Sequence, residues 1–318
     1  MTKSVLVGIP CFNEEETVGA IVKEILSLES PDLEFKVVVI DDGSSDDTSI
    51  ESMEAGAEVL RHEANRGLGG AFESFREFAL KRSEHYFVLI DGDGQFSPSQ
   101  IPSLVLPLIN HECDVVIGSR FVYGKPSTQP WRNYYGNRLA NRLVSSATKS
   151  HFTDVSSGFR AFSRKSLSLL RNLGSFNFSQ HTVLQARNLG LIIVEVPVFV
   201  EYFDYRKSRM APSFSSQSLR ISRSVLHSIQ ELYPFYFYSR LSLLLFVPCL
   251  FFGIVFILHF LRTGQFTGYL FAGFTSAFFF AISLIFISVG LISQSLIEIK
   301  KDQSRIIGRL DRSAKEVA

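Results

Sequence analysis

The sequence has little of what several classes of protein require. Its three cysteines, Cys11, Cys113 and Cys249, have neither paired spacing nor a metal-like cluster, so we expect small apolar residues in a reducing compartment. The net charge is only +1, which argues against nucleic acid as the main partner, because nucleic-acid binding usually leaves a strongly basic footprint. No signal peptide is expected, since residues 1–10 enter a strand pattern directly.

Hydrophobicity, by contrast, is abundant and unevenly distributed. Mean hydropathy is +0.17, and many of the 30 phenylalanines fall in the last third of the 318 residues. From residue 1 to about 200, apolar runs such as SVLVGIP and FKVVVIDD alternate with stretches of helical spacing such as ETVGAIVKEILSLE. This alternation predicts an α/β domain over residues 1–210, built on a mainly parallel sheet flanked by helices on both faces.

Two uncharged stretches, 241–261 and 268–292, follow this domain. Each reaches the length of about 20 residues that crosses a hydrocarbon core, so 241–292 is predicted to be a transmembrane hairpin. A pair of buried soluble helices is the alternative. Lys and Arg are concentrated outside the two stretches, with only Arg262 between them, which predicts a multi-pass protein of the cell (plasma or inner) membrane with the α/β domain and both termini in the cytoplasm.

The segments on either side of the hairpin carry less information. Residues 211–240 mix apolar, aromatic and basic residues, which suits a helix lying in the membrane interface, although a plain connector helix fits as well. The charged cytoplasmic tail, 293–318, could pair with a neighbour in a homo-oligomer or be a solvated helix.

Polar clusters follow the apolar runs of the α/β domain, where sheets of this kind bind their ligands. IPCFNEE (9–15) and IDDGSSDDTS (40–49) could bind a ligand, or could simply begin helices, with Asn13 as a cap in the first. NRGLGGAF (65–72) is a glycine-rich turn into a helix that lacks the glycine and lysine spacing of known phosphate loops.

The strongest cluster is VLIDGDGQFSP (88–98). It ends a buried strand with two carboxylates one residue apart and then an amide. A polar turn accounts for the glycines. If the extended conformation persists past the strand, however, Asp91, Asp93 and Gln95 point the same way and offer oxygen ligands to a divalent cation.

In this order, IPCFNEE, DDGSSDDT, NRGLGGA, DGDGQF, IGSRF and TDVSSGFRAFSR resemble the family-2 glycosyltransferases with the GT-A fold. More closely, they resemble the polyisoprenyl-phosphate glycosyltransferases, the dolichol-phosphate mannose synthase group. The resemblance covers about residues 3–210, and DGDGQF and SGFRAF are its most specific parts. It implies inverting transfer of a hexose from a nucleotide-diphosphate sugar to a polyprenyl phosphate at the cytoplasmic membrane face. The sugar cannot be read from the sequence, and UDP-glucose is the working expectation.

The resemblance also implies roles for individual residues. For the nucleotide they are Pro10, Phe12, Glu14, Asp42 and Asp91. For Mg²⁺ or Mn²⁺ they are Asp91, Asp93 and Gln95. For the acceptor phosphate they are Arg120, Arg132, Arg138, Arg206 and Arg209, and the residues expected to be catalytic are Asp93, Arg120 and Arg206.

Two departures affect the acceptor residues. Relatives often place an arginine and then a serine a few residues beyond a tryptophan like Trp131, whereas this chain offers Arg132 or Arg138. Relatives commonly show R-x-x-G-x-S-K after the last strand, whereas this chain keeps Arg206 and has Arg209 and Ser213 as replacements. A surface ion pair is the alternative for Arg120.

Two other functions are compatible with the sequence. The chain could be a membrane glycosyltransferase that uses a glycolipid or polysaccharide acceptor, although the Q-x-x-R-W motif and the additional spans of processive relatives are absent. It could also be a non-catalytic membrane scaffold that binds nucleotide sugars, although the intact Asp91, Asp93 and Gln95 argue against a decayed site.

Overall fold

The structure, a computed structural model, describes residues 2–124, 131–171, 178–201 and 225–317, with the backbone alone for 131–133 and 300–317. It divides into two compact units, Met1–Val225 and Leu226–Ala318. Of the predicted site residues, Arg206 and Arg209 lie outside the described residues, and Arg132 is described by its backbone only.

The first unit is built on a seven-stranded sheet in the order β3-β2-β1-β4-β6-β5-β7. Its strands are β1 (Lys3–Cys11), β2 (Leu33–Asp41), β3 (Glu58–Arg61), β4 (Tyr86–Leu89), β5 (Val115–Ser119), β6 (Arg160–Ser163) and β7 (Ile193–Pro197). All neighbouring pairs are parallel except the two that involve β6. The prediction of a mainly parallel sheet is therefore confirmed, with one antiparallel strand inserted near its middle.

Helices cover both faces of this sheet. They are α1 (Glu15–Leu26), α2 (Thr48–Glu54), α3 (Gly67–Leu80), α4 (Ile101–Ile109, preceded by a 3-10 turn, Pro98–Gln100), α5 (Trp131–Thr148), α6 (Arg164–Leu169) and α7 (Phe178–Asn188). Successive residues of a strand face opposite sides. Accordingly Val5 and Val7 join a core with α1 and α4, whereas Leu6 joins a second core with α3 and α7.

The second unit contains two long helices, α8 (Pro234–Thr263) and α9 (Leu270–Val317). Ser242 Oγ lies 2.9 Å from the carbonyl oxygen of Ser283, and Ser276 Oγ lies 2.9 Å from that of Cys249. Because contacts move backward along α9 as they move forward along α8, the helices form an antiparallel hairpin. Both are long and apolar enough to cross a membrane, judged by length and composition.

The helices extend beyond the apolar stretches that predicted them. Gly264 ends α8 in the left-handed conformation, with φ of +67°, which glycine adopts at little cost. Helix α9 begins at Leu270 and continues past residue 292 through the charged tail. Hydropathy marks only the apolar part of each helix. The helices are longer because backbone hydrogen bonds can continue into a polar segment.

Candidate active site

The sheet topology brings the polar clusters to one edge. Strands β1, β2, β4 and β5 run in the same direction, so the residues that follow them lie at their common carboxyl end. Strand β6 runs in the opposite direction between β4 and β5 and begins at Arg160, which pairs with Leu89 and Ile117. The loop before β6, residues 152–159, therefore lies at the same edge, and it carries the TDVSSGF motif.

The D-x-D segment is a turn and not an extension of β4. The strand ends at Leu89, and Gly94 has a φ of +76°. The backbone N–H of Gln95 donates to Asp93 Oδ1 at 3.0 Å, which closes the turn. The condition on which that alternation depended, an extended conformation through Gln95, is therefore not met, and the glycines and the aspartate form the polar turn that was the alternative. Beyond the turn, the Gln95 carbonyl accepts the Glu201 N–H at 3.0 Å.

Asp91 has an unusual environment for a carboxylate. It accepts no hydrogen bond from the residues that the structure describes. Burial and the nearby Asp93 raise the pKa of Asp91 to about 7, against the opposing effect of Arg120 and Arg160. Two carboxylates held this close favour a proton or a cation between them.

Gly158 explains how the TDVSSGF loop can lie against this carboxylate. A Cβ atom at residue 158 would lie 2.4 Å from Asp91 Oδ1 and 2.6 Å from Asp91 Oδ2. The close approach therefore requires glycine. Gln180 on α7 also holds the loop, through a 2.9 Å hydrogen bond from Nε2 to Ser156 Oγ.

Arg120 pairs with a buried acid of the same loop. Its Nε lies 2.6 Å from Asp154 Oδ2 and its Nη2 lies 2.9 Å from Oδ1, a bidentate arrangement. Asp154 is fully buried. Glu195 of β7 supports the loop by accepting the N–H groups of Thr153 and Asp154 at 2.9 and 2.8 Å. Arg120 is therefore in an ion pair, as the alternative from the sequence suggested. The partner, however, is buried, whereas that alternative was a pair at the surface.

Arg160 adds a second positive charge beneath the site. Its side chain is fully buried, and it donates to the carbonyls of Ser157 and Val155 at 2.9 Å each. Burial lowers the pKa of Arg160 to about 10, although Asp154, Asp91 and Glu195 act to raise it, so the guanidinium stays charged at neutral pH. Its Nη1 atom has no hydrogen-bond partner among the described residues.

The ends of β1 and β2 form the other half of the edge. Asn13, at a φ of +58°, accepts the Ser45 N–H at 2.8 Å, and the Asn13 N–H donates to Ser44 Oγ at 2.9 Å. Asn13 therefore joins the two loops, and it does not cap α1, whose preceding residue, Glu14, makes no side-chain cap either. Phe12 is 41% exposed at this end of the sheet, as a residue that stacks on a ligand would be.

Asp42 is engaged with the glycine-rich turn. Its Oδ1 accepts the Arg66 N–H at 2.8 Å and contacts His62 Nδ1 at 2.6 Å, and its Oδ2 accepts the Gly67 N–H at 2.7 Å. The other ring nitrogen of His62 lies 2.8 Å from Ser74 Oγ on α3. A cavity of about 290 Å³ adjoins this network and is lined by Gly43, Ser44, Arg61, His62 and Glu63.

The predicted site residues are thus distributed unequally. Pro10, Phe12, Glu14, Asp42, Asp91, Asp93, Gln95 and Arg120 all lie at the carboxyl edge of the sheet. Arg138 is exposed on α5 and lies 3.4 Å from the Tyr134 hydroxyl. Sequence reasoning assigned no role to His62, Asp154, Gly158, Arg160 or Glu195. A signal existed for three of them, since Asp154, Gly158 and Arg160 belong to a motif that the resemblance includes.

This strand order, with acidic turns at the carboxyl edge, defines a GT-A type of α/β domain. Residues 6–170 match the family model described as glycosyl transferase family 2, which is more than half of the 318 residues. The chain therefore belongs to glycosyltransferase family 2, and its enzyme class is that of a glycosyltransferase.

Relatives and solved structures agree with this assignment. The polyprenol monophosphomannose synthase of Mycolicibacterium smegmatis is 29% identical over 67% of this chain and 83% of its own length. The UDP-N-acetylglucosamine–dolichyl-phosphate N-acetylglucosaminyltransferase of Methanococcus voltae is 27% identical over 65% and 89%. Glucosyl-3-phosphoglycerate synthase from Mycobacterium tuberculosis, solved with Mn²⁺ and UDP, superposes with a TM-score of 0.56 at 23% identity, covering 72% of this chain and 79% of that one. That likeness supports the fold.

Proposed function

We propose that this glycosyltransferase transfers a hexose from a nucleotide-diphosphate sugar to a polyprenyl phosphate. The observation that carries the proposal is the proximity of two kinds of charge at one sheet edge. The Asp91 carboxylate suits a metal–diphosphate, and Arg120 and Arg160 lie close enough to it to act on its pKa. The relatives named for polyprenol and dolichyl phosphate support the choice of acceptor.

The donor diphosphate is proposed to bind through Mg²⁺ or Mn²⁺ held by Asp91, Asp93 and Gln95. Asp91 and Asp93 fit a hard divalent cation, because Asp91 accepts no hydrogen bond from the described residues and lies next to a second carboxylate. Among the described residues, no three His, Cys, Asp or Glu side chains form a ligand set, so substrate phosphates would complete the coordination. When bound, the cation supplies charge stabilisation for the departing diphosphate.

The nucleoside is proposed to lie across the ends of β1 and β2. Pro10, Phe12 and Glu14 would contact the base and ribose, and the 41% exposed ring of Phe12 suits stacking. Asp42 would contribute to nucleotide binding indirectly, by holding the glycine-rich turn in place. Its two carboxylate oxygens already accept the Arg66 and Gly67 N–H groups.

The acceptor phosphate is proposed to bind arginines, with Arg120 and Arg206 as the main contacts and Arg132, Arg138 and Arg209 as the replacements for the family pattern. An acceptor phosphate oxygen attacks the anomeric carbon of the sugar while the bond to the donor diphosphate breaks, which inverts that carbon. No strong general base is needed, because the attacking phosphate is already anionic at neutral pH. The protein's contribution is to hold two anions in line and to offset their repulsion.

The hairpin of α8 and α9 is proposed to cross the cell membrane, with both termini and the catalytic unit in the cytoplasm. Its length and composition, and the Lys and Arg outside the apolar stretches, support this arrangement. Gln265, between the helices, is the site to test. In intact cells, a Gln265→Cys variant should react with a membrane-impermeant thiol reagent, and protection until the cells are opened would contradict the orientation.

The deciding experiment measures nucleoside-diphosphate release by the full chain in lipid nanodiscs. UDP-glucose, the working choice of donor, is compared with other nucleotide sugars, each without an acceptor and with added polyprenyl phosphate, glycolipid or polysaccharide. Stimulation only by the lipid phosphate supports the proposal. Stimulation by a glycolipid or polysaccharide instead would identify a different acceptor, and binding without release under any condition would leave a nucleotide-sugar-binding scaffold.

The metal assignment is tested in the same assay with Asp93→Ala. Loss of the cation-dependent release in a protein that still folds and inserts is the expected result. Glu54→Ala, which removes an exposed acid at the end of α2, is the matched control and should behave as the wild type. Near-normal turnover in Asp93→Ala would refute the metal site.

A further inference from the structure

A long segment of the first unit carries basic residues and no acidic ones. Between Val115 and Thr153 there are six Lys or Arg residues and no Asp or Glu, in a chain whose net charge is only +1. The segment includes all of β5 and all of α5. No acidic residue of the segment offsets these six charges, of which Arg120, a proposed contact of the acceptor phosphate, is one.

Helix α5 presents part of this charge on one exposed stripe. Tyr135, Arg138, Leu139 and Arg142 are exposed, as is Lys149 just after the helix, and their spacing places them on one side. Tyr135 is 60% exposed and Leu139 is 51% exposed. The opposite side, with Ala140, Asn141, Val144 and Ala147, is buried. We call the five exposed residues the α5 face.

The loop after β5 extends this surface with further exposed apolar groups. Tyr123 is 81% exposed and Val122 is 40% exposed. The ring of Phe121, the preceding residue, packs edge-on against Tyr134 at 5.6 Å between centroids, so the loop lies beside the first turns of α5. The combined surface alternates tyrosine, leucine and arginine, which is unlike an ordinary solvated helix face.

We propose that the α5 face, together with Tyr123, rests on the anionic headgroups of the bilayer. This inference depends on the proposed insertion of the hairpin, which keeps a bilayer next to the catalytic unit at all times. Anionic lipids complement a surface with no acidic residue, and tyrosine and leucine beside arginine are the composition of an interfacial helix. Arg138 is also a proposed contact of the acceptor phosphate, whereas Arg142 and Lys149 belong to no predicted contact, and these two give the face a role of its own.

The test uses the full chain in nanodiscs with a fluorophore on a single introduced cysteine. The three native cysteines are buried, so a surface cysteine is labelled selectively. A label at Leu139→Cys should be quenched by phospholipids that carry a nitroxide headgroup. The matched control is Met53→Cys on α2, which is 55% exposed and flanked by acids, and its label should not be quenched. Equal quenching at the two positions would overturn the proposal.

Two further measurements separate this proposal from the membrane insertion on which it depends. A label at Ile285→Cys in the apolar part of α9 reports insertion, and nitroxides on the acyl chains should quench it. Quenching at Ile285 without quenching at Leu139 contradicts the α5 proposal alone, whereas no quenching at Ile285 contradicts the hairpin. Cross-linking of the unlabelled Leu139→Cys variant to a second copy of the chain would show that another protein molecule covers the α5 face. That result would also overturn the bilayer assignment.

The proposal also requires that quenching at Leu139 depend on electrostatic attraction between the α5 face and the lipid headgroups. Quenching at Leu139 should decrease in nanodiscs without anionic lipid and at high salt, because screening weakens contacts with a charged surface. Arg142→Ala should lower the ratio of bound to unbound α5 face about fivefold, the effect of one basic residue near such a surface. Quenching that is indifferent to lipid charge, salt and Arg142 would refute an electrostatic contact.

Discussion

Replacing Asp91 by asparagine should stabilise the metal-free protein and abolish sugar transfer at the same time. Asp91 is an acid without a hydrogen-bond donor among the described residues, next to a second acid and against the backbone of Gly158. Its ionised form is therefore disfavoured unless a ligand compensates. Asparagine has nearly the same shape and carries no charge, so it removes the penalty together with the proposed metal ligand.

The magnitude follows from the pKa. Asp91 titrates at about 7 in the folded chain against an ordinary value of 3.8. Because the folded pKa is the higher one, the folded state binds more protons between these values, and the free energy of unfolding falls as pH rises from about 4 to about 7. About 3 pH units at 1.36 kcal/mol each set a ceiling of about 4 kcal/mol. Remaining contact with water reduces the penalty, and we expect asparagine to recover about 2 kcal/mol above pH 7.

Thermal unfolding in the presence of a chelator measures this gain. The single tryptophan, Trp131, lies in the first unit, so its fluorescence follows the unfolding of the catalytic unit. For a unit of this size, about 2 kcal/mol corresponds to a rise of about 4–8 °C in Tm. The rise should be large at pH 8 and smaller at pH 5, and Asp32→Asn, at an exposed acid before β2, controls for the loss of one negative charge. A variant no more stable than the wild type at pH 8 would refute the reasoning.

Three further predictions concern the same edge of the sheet. Gly158→Ala should eliminate metal-dependent transfer, because its Cβ would collide with the Asp91 carboxylate, and titration calorimetry should show weakened Mn²⁺ binding. Asp154→Asn should lower the free energy of unfolding by about 3 kcal/mol, measured by chemical denaturation, since it leaves the Arg120 guanidinium without its buried counter-charge. In the wild type, the metal concentration for half-maximal activity should rise about tenfold per pH unit below about 7 and stay constant above it, because a proton on Asp91 competes with the metal. A flat profile across pH 6 to 8 would contradict the last of these.

The parts of the fold that could be predicted from sequence are those that local periodicity determines. Strands β1, β2, β4 and β5 are apolar runs buried on both faces, and α1 and α3 have clear helical spacing. Strand β6 has no such signal, because its first residue is Arg160 and its sequence is RAFS. An arginine is favourable there only because the carbonyls of Ser157 and Val155 accept its hydrogen bonds. These hydrogen bonds depend on the tertiary fold, so a short window of the sequence cannot predict them.

The same reasoning separates the site residues that the motifs predicted from those that they missed. Asp91, Asp93 and Gln95 stand within five residues, so a short motif identifies them as candidates even though the segment is a turn and not an extended strand. Asp154 is 34 residues from Arg120, and Asp42 is 20 residues from His62. These pairs meet because the chain crosses the sheet between their members. Sequence reasoning could assign a phosphate-binding role to Arg120 but could not find the acid that holds it.

The ion pair between Arg120 and Asp154 bears directly on how an acceptor could be recognised. An arginine held bidentately by a buried carboxylate is fixed in orientation. The cost of burying the Asp154 carboxylate is already offset by Arg120 and by the backbone N–H of Ser156, which donates to Asp154 Oδ1. A second anion that approaches such a guanidinium competes with Asp154 instead of finding an uncommitted charge. Arg160 lies under the same loop, with a buried Nη1 that has no partner among the described residues. The two arginines stand against four carboxylates at this edge, Asp91, Asp93, Asp154 and Glu195, so a bound divalent cation would be needed before the site could hold a diphosphate and a lipid phosphate together.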